Sequence, residues 1–278
     1  GEAAAVERLA DVACERGDLR VAVNNAGVEA TGRVWEVPPE ATERLIRVNL
    51  LGAFNGVRAF VGRMVAAGEP AAVVNVASMA ALISGPVSQA AYNASKHGVQ
   101  ALTESLALEL AEAGAPIAVH VVNPGPVATR IFTDAPTAGE RGAGARDDYH
   151  AMVTEQGISG DEAGAIVVAG VERGGFWIET HPEMRAAASA QRARMLTGAL
   201  PPARNFLAAA HPHMIAQVEP PRAVLQGRPR NQAAPEFGQH ALAEFRKRRK
   251  QVVGEDQLQH GIAQTTEIAQ EAIATLRI

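Results

Sequence analysis

Three short apolar runs, Leu19–Val23, Ala71–Val76 and Ile117–Val122, alternate with long stretches of helical periodicity, and this alternation constrains the fold more than any other feature. A nearly continuous apolar run is the pattern of a parallel strand covered on both faces. Pro38-Pro39-Glu40 places a proline in the first turn of a helix that runs to about Gly68. From Tyr92 onward, Val99, Leu102, Leu106 and Leu110 recur at helical spacing. Strand, helix and strand in this order make a right-handed βαβ crossover. The expected class is therefore α/β, a doubly wound parallel sheet. Before the first strand, residues 2–16 carry Val6, Leu9, Ala10 and Ala13 on one face of an amphipathic helix. Later, Ser159-Gly160-Asp161-Glu162 caps a helix through Glu172. Gly175-Phe176-Trp177-Ile178 gives a last short strand, and residues 183–197 one more helix before Pro201-Pro202. Between Ile131 and Ser159 the chain is rich in Gly, Asp and Ala without clear period. That stretch reads either as a mobile lid or as a plain surface excursion.

In parallel sheets, ligands bind at the carboxyl ends of strands. Asn24-Asn25-Ala26-Gly27, Ser78 and Pro124-Gly125 all follow apolar runs, and the Tyr92 helix starts on the same side. Tyr92 and Lys96 are four apart, so a phenol and an ammonium share one helix face. A nearby ammonium favours phenolate and lowers a tyrosine pKa from about 10 toward neutrality. Ser78 is placed to donate a hydrogen bond to a substrate oxygen. Taken singly, these features are ordinary: a Tyr/Lys pair is usually a surface pair, and Asn-Asn-Ala-Gly suits a common loop. Asn49, in an apolar helix, needs partners for a donor and an acceptor. It either fills a local backbone gap or holds a water.

At 278 residues and 47% hydrophobic, the chain has enough apolar material for a sizeable core, and its net charge of −4 implies no polyanion partner. A lone cysteine, Cys14, excludes an internal disulfide framework and suits a reducing cytosol. No apolar run has the length of a membrane span, and no signal segment opens the chain. The first residue is Gly rather than Met, which points to a missing amino terminus.

In order and spacing, Asn24-Asn25-Ala26-Gly27, Asn49, Ser78, Tyr92-x-x-x-Lys96 and Pro124-Gly125 with Thr129 resemble a short-chain dehydrogenase/reductase of the single-domain, Rossmann-like type. The resemblance spans about residues 2–200. It implies an oxidoreductase using NAD or NADP on a small carbonyl or alcohol substrate, in a cytoplasmic homo-oligomer. The helices at 40–67 and 92–111 would pair across its dimer interface. By the same resemblance Tyr92 is the general acid/base, Ser78 orients the reacting oxygen, and Lys96 lowers the Tyr92 pKa and binds the nicotinamide ribose. Asn49 anchors a water in the proton relay. Asn25, Ala26 and Gly27 line the adenine-ribose side of the cofactor, while Pro124, Gly125, Val127 and Thr129 hold its nicotinamide end.

The family begins with a Thr-Gly-x-x-x-Gly-x-Gly turn after a first strand, and the resemblance here starts only before the fourth strand. The expectation is an amino-terminally truncated sheet with three strands absent. Gly142-Ala143-Gly144 follows no strand and reads as loop rather than phosphate cradle. Hydrogen bonds to charged groups contribute roughly 1.5–3 kcal/mol each and a helix dipole up to about 2. Losing several removes about 6–10 kcal/mol, where micromolar binding totals about −8. Weak or no cofactor binding follows, with Leu19–Val23 left as an exposed sheet edge. NAD cannot be told from NADP, because the selecting residue belongs to the absent part. The alternative to an enzyme is a degenerate relative or fragment acting as a binding or oligomerisation module.

Two domains are expected: 1–202 for the dehydrogenase-like unit and 203–278 for a linker and helical tail. Pro212, Pro220, Pro221, Pro229 and Pro235 punctuate the linker. Phe237 to Val253 reads as a helix bearing Arg246-Lys247-Arg248-Arg249-Lys250, a solvated face rather than a nucleic-acid or membrane patch. Residues 255–277 read as a further helix packed on the body or on a partner. His211-Pro212-His213, His240 and His260 lack the spacing of a metal site, and no metal is expected.

Overall fold

The computed structural model describes residues 2–83 and 87–197. The linker, the tail helices with their basic run, and the five histidine and proline residues at 211–213, 240 and 260 all lie outside the described residues. Among the described residues, one sheet of four strands runs in chain order: β1 (Val21–Asn24), β2 (Ala71–Val76), β3 (Ile117–Asn123) and β4 (Trp177–Glu179). Every pairing is parallel, with Val23 opposite Val74, Val74 opposite His120, and Val121 opposite Trp177. Each crossover contains helix, as the alternation of periods requires.

The apolar runs are continuous because both faces of the sheet are covered. On one face Ala22, Val73 and Val119 pack against Val61, Met64, Leu106 and Leu110. On the other, Val74, Val122 and Ile178 pack against Ile166, Val167 and Val171. Burying a Val or Leu side chain stabilises by roughly 1.5–3 kcal/mol. The two-sided packing, rather than any polar contact, is thus the main support of the central strands. A polar ladder crosses the same region. Asn24 Nδ2 donates to Asn75 Oδ1 (2.8 Å), Asn75 Nδ2 to Thr103 Oγ1 (3.0 Å), and Thr103 Oγ1 to the Val99 carbonyl (2.6 Å). The ladder satisfies the fully buried Asn75 amide, which would otherwise be costly, and ties the half-buried Asn24 to it.

Helix α1 (Ala3–Arg16) precedes β1. Between β1 and β2 runs α2, an unbroken helix over 39–67 that starts on Pro39 and ends at Gly68, whose φ of 68° is the left-handed stop glycine provides. It contains two π segments, Arg47–Leu51 and Val57–Val61. In the first, the Gly52 N–H bonds the Arg47 carbonyl, five residues back. After β2 come α3 (Ala90–Glu112) and β3. Two helices, α4 (Gly139–Gln156) and α5 (Gly160–Glu172), lie between β3 and β4, and α6 (Pro182–Leu196) follows β4. The predicted cap of α5 is present: Ser159 Oγ accepts from Glu162 N–H at 3.1 Å, and Glu162 Oε2 accepts from Ser159 N–H at 2.9 Å.

One expectation is corrected. Residues 131–159 are neither an irregular lid nor a plain excursion, because most of them form α4, and Gly142-Ala143-Gly144 is helical. Its buried stripe is Gly142, Ala145, Tyr149 and Val153, which has helical spacing but is half made of Gly and Ala. Small residues give little hydrophobic contrast, so the period does not stand out. As expected, β1 is an edge strand, paired among the described residues with β2 alone, and Val23 is 40% exposed.

Candidate active site

β2 ends at Val76, and the next residues are held on their neighbours. Ala77 N–H donates to the Val122 carbonyl (2.8 Å) and Met79 N–H to the Pro124 carbonyl (3.0 Å). These bonds fix Ser78, whose Oγ also accepts from Ala80 N–H at 3.1 Å and caps a short 3-10 turn, Met79–Ala81. Tyr92 and Lys96 stand in the first turns of α3. Lys96 Nζ donates to the Val76 carbonyl (2.9 Å) and lies 5.6 Å from the Tyr92 ring centroid. The Ser78 hydroxyl is within hydrogen-bonding reach of the Tyr92 phenol. Ser78, Tyr92 and Lys96 are therefore brought together at the carboxyl ends of the strands.

Asn49 sits in the first π segment, buried. Its Oδ1 accepts from Val28 N–H (2.8 Å), and its Nδ2 donates to the Val28 carbonyl (2.9 Å) and to Ser95 Oγ (3.2 Å). Of its two readings, the side chain takes the backbone-filling one. Asn25, Ala26 and Gly27 are exposed beyond β1. A Cβ at Gly27 would stand 3.5 Å from Lys96 Nζ and 3.7 Å from Asn49 Oδ1, so this glycine lets the chain pass close to both. Pro124 and Gly125 are half-buried beyond β3, and Gly125 N–H donates to Thr180 Oγ1 (2.9 Å). Val127 forms a parallel bridge with Ile158. Thr129 is exposed, and its Oγ1 accepts a long 3.5 Å bond from Ile131 N–H.

The Tyr92 phenol is pushed up: burial is the main cause, the Glu29 carboxylate adds to it, and the Ser78 hydrogen bond acts the other way. The Lys96 ammonium is lowered to about 8 by burial, against the pull of Glu29.

Glu29 is the residue the sequence did not single out. It is 2% exposed, its Oε1 accepts from Ala30 N–H (2.9 Å), and its Oε2 accepts from Gln89 Nε2 (2.9 Å). Burial raises its carboxyl to about 8, opposed by Ala30 N–H, Lys96 and Gln89. The loop bearing it is clamped. Thr31 N–H donates to the Pro136 carbonyl and the Thr31 carbonyl accepts from Ala138 N–H, while Thr31 Oγ1 donates to the Gly142 carbonyl. Gly32 N–H donates to the carbonyl of Ser88, a residue with φ of 74°. Tyr149 stacks on Phe132 (5.3 Å) and donates to the Val87 carbonyl (3.0 Å), so α4 closes over this loop. A signal for Glu29 existed only in its position two residues beyond Asn-Ala-Gly. A cavity of about 590 Å³ is lined by Arg33, Trp35, Asn93 and His97, and its lining includes neither Ser78, Tyr92 nor Lys96.

The family profile described as short chain dehydrogenase matches residues 2–139. An NAD-dependent oxidoreductase of Mycobacterium tuberculosis is 42% identical over 124 residues, 45% of this chain and 44% of that protein. The 1-deoxy-11-beta-hydroxypentalenate dehydrogenase of Streptomyces exfoliatus is 42% identical over 142 residues, 50% of each. The chain thus spans about half the length of these curated relatives. A Burkholderia phymatum short chain dehydrogenase/reductase, solved in complex with NAD, superposes with a TM-score of 0.69 at 29% identity, covering 74% of this chain and 76% of that one. Parallel sheet, order of the site residues and these matches lead to one conclusion: through residues 2–139 the chain belongs to the short-chain dehydrogenase/reductase family.

Proposed function

We propose that the chain carries the proton-transfer half of a site for NAD(P)-dependent interconversion of a ketone and a secondary alcohol. The observation that carries this reading is the meeting of Ser78, Tyr92 and Lys96 at the strand ends, with Gly27 passing beside Lys96 Nζ. In the reduction direction, the ketone oxygen accepts hydrogen bonds from Ser78 Oγ and the Tyr92 phenol. A reduced nicotinamide, when bound there, would supply the hydride. Tyr92 gives its proton to the oxygen as charge develops there, and Ser78 stabilises that charge. Lys96, anchored through the Val76 carbonyl, retains donors for a ribose hydroxyl. The close approach permitted by Gly27 and the held Gly125 loop fit the nicotinamide-ribose end of NAD or NADP. Asn49, through its π segment, is assigned to hold a relay water by its backbone, since its side chain is spent on Val28. Asn25 and Ala26 line the adenine-ribose side, and Pro124, Val127 and Thr129 the nicotinamide side. The substrate class is a small or medium apolar ketone or alcohol. Exposed Leu51 and Phe54 on α2 and Leu108 on α3 support pairing of these helices in a homo-oligomer.

The test is hydride transfer by the full chain, followed through the absorbance of the reduced nicotinamide. Tyr92→Phe should lower the rate by about 10²–10⁴-fold, and an unchanged rate would remove Tyr92 from its role. The open edge at β1 favours a second reading, a binding or oligomerisation module. Calorimetric titration with both cofactors separates the two, since micromolar binding disposes of the module.

A further inference from the structure

The cavity beside α3 has no part in the reaction just described. Its volume of about 590 Å³ falls within the roughly 300–1,000 Å³ of small-molecule sites. Two kinds of wall meet in it. Val34, Trp35 and Val87 are apolar and open to solvent, with Trp35 76% exposed. Arg33, Arg192 and His97 bring cationic or donor groups, and none of the described residues that line the cavity is acidic. Arg33 lies over the Trp35 ring at 5.7 Å and reaches Glu36 at 3.6 Å. An exposed ion pair of that kind contributes little, so the guanidinium can turn to a ligand without a large loss.

Two buried polar atoms without partners stand among these walls. Ser88 is 7% exposed and its Oγ has no hydrogen-bond partner; Asn93 Oδ1 is likewise buried and unpartnered. Buried polar groups are normally paired, so each asks for an occupant. The Ser88 turn is held in place, because the Ser88 carbonyl accepts from Gly32 N–H (3.0 Å) and the Val87 carbonyl from the Tyr149 hydroxyl (3.0 Å). Next in the chain is Gln89, the N-cap of α3, whose first turn has neither a side-chain cap nor an acidic residue. Ala90 of that turn also lines the cavity. Such a helix start offers N–H donors and favours a negative charge. The Glu29 carboxyl, bonded to Gln89 Nε2, is not part of the lining.

We propose that this cavity binds an apolar hydroxy acid. Its carboxylate is held by the Ser88 hydroxyl, the two arginines and the first turn of α3. Its hydroxyl donates to Asn93 Oδ1, and its apolar body covers Trp35. A bare inorganic anion would leave Trp35 and Val34 in water, and a neutral apolar molecule would leave the cationic wall and Ser88 unanswered. The site goes beyond the oxidoreductase reading and does not depend on it, since Ser78, Tyr92 and Lys96 lie outside its lining.

The test is calorimetric titration of the full chain with mandelate, in the absence of nicotinamide. Two controls run beside it: mandelamide, in which a neutral amide replaces the carboxylate, and inorganic phosphate, which has charge but no apolar body. Mandelate should saturate at millimolar concentration or below, and both controls should bind at least about tenfold more weakly. The indole N–H resonance that disappears in Trp35→Phe should move in the parent with the same midpoint as the heat. Ser88→Ala should weaken mandelate about tenfold, the loss of one hydrogen bond to a charged group. Should that variant fail to fold, Ser88→Gly removes the same hydroxyl, suits the Ser88 φ of 74°, and should give the same loss. Absence of saturable mandelate binding, equal binding of either control, a Trp35 resonance that stays in place, or unchanged affinity in the folded Ser88 variants would each overturn the proposal.

Discussion

Asn49 grips Val28 at both ends of its peptide-like amide, accepting from the Val28 N–H and donating to the Val28 carbonyl, at 2.8 and 2.9 Å. The pair imitates one rung of a sheet between a helix and a loop. It fixes where the Gly27–Glu29 segment lies against α3. Asn49→Ala should leave two backbone groups without partners and cost about 2–4 kcal/mol. A urea titration reads this as a lower midpoint with an unchanged slope.

The buried Glu29–Lys96 pair should write itself into the pH dependence of stability. Glu29 titrates at about 8 when folded against 4.5 in the unfolded chain, so its contribution is present below 4.5 and is lost as pH rises toward 8. Lys96 titrates at about 8 against 10.5, so its contribution is present above 10.5 and is lost as pH falls toward 8. Stability should therefore pass through a minimum near pH 8. Urea midpoints across pH 5–11 would show it, and Glu29→Gln should flatten the acid-side limb.

Gly142 should prove intolerant of a side chain. A Cβ there would lie 2.5 Å from the Thr31 carbonyl oxygen, a backbone atom with no freedom to turn away. Gly142→Ala improves helix propensity by about 1 kcal/mol in isolation, yet the clash should outweigh that gain by about 1–3 kcal/mol. The expected outcome is a lower melting temperature together with faster proteolysis within α4. A stabilised variant would mean that α4 does not seat on the Thr31 loop.

Ser159→Ala removes one side of the α5 capping box and should cost about 1 kcal/mol. The same measurement on Glu162→Ala should give a smaller loss, because the Ser159 hydroxyl remains on the Glu162 N–H. Equal losses would indicate that the two bonds act as one unit.

What the sequence made legible follows from how strongly each segment is patterned. β2, β3 and α3 are long, apolar and regular, and their ends carry residues with unmistakable chemistry, so Ser78, Tyr92 and Lys96 could be placed on one side of the sheet in advance. α4 was illegible because Gly142 and Ala145 occupy half of its buried stripe and register no hydrophobic contrast. Glu29 was illegible for a different reason. A single acid in a polar loop is ordinarily solvated, and only long-range bonds from Thr31 to 136–142 and from Gly32 to Ser88 bury it. Spacing along one helix reveals Lys96 but not a carboxylate arriving from another loop.

The two π segments of α2 make its length, residue by residue, a determinant of site geometry. Each residue of an α-helix turns the chain by about 100°, so one amino acid removed between Arg47 and Leu51 would rotate everything downstream by that angle. Gly56, where a Cβ would fall 1.9 Å from Asn24 Oδ1, would then swing away from β1 and present a different neighbour to the polar ladder. Substitutions along α2 alter single contacts, whereas a single-codon deletion in its first π segment would re-index the whole second half of the helix against the sheet.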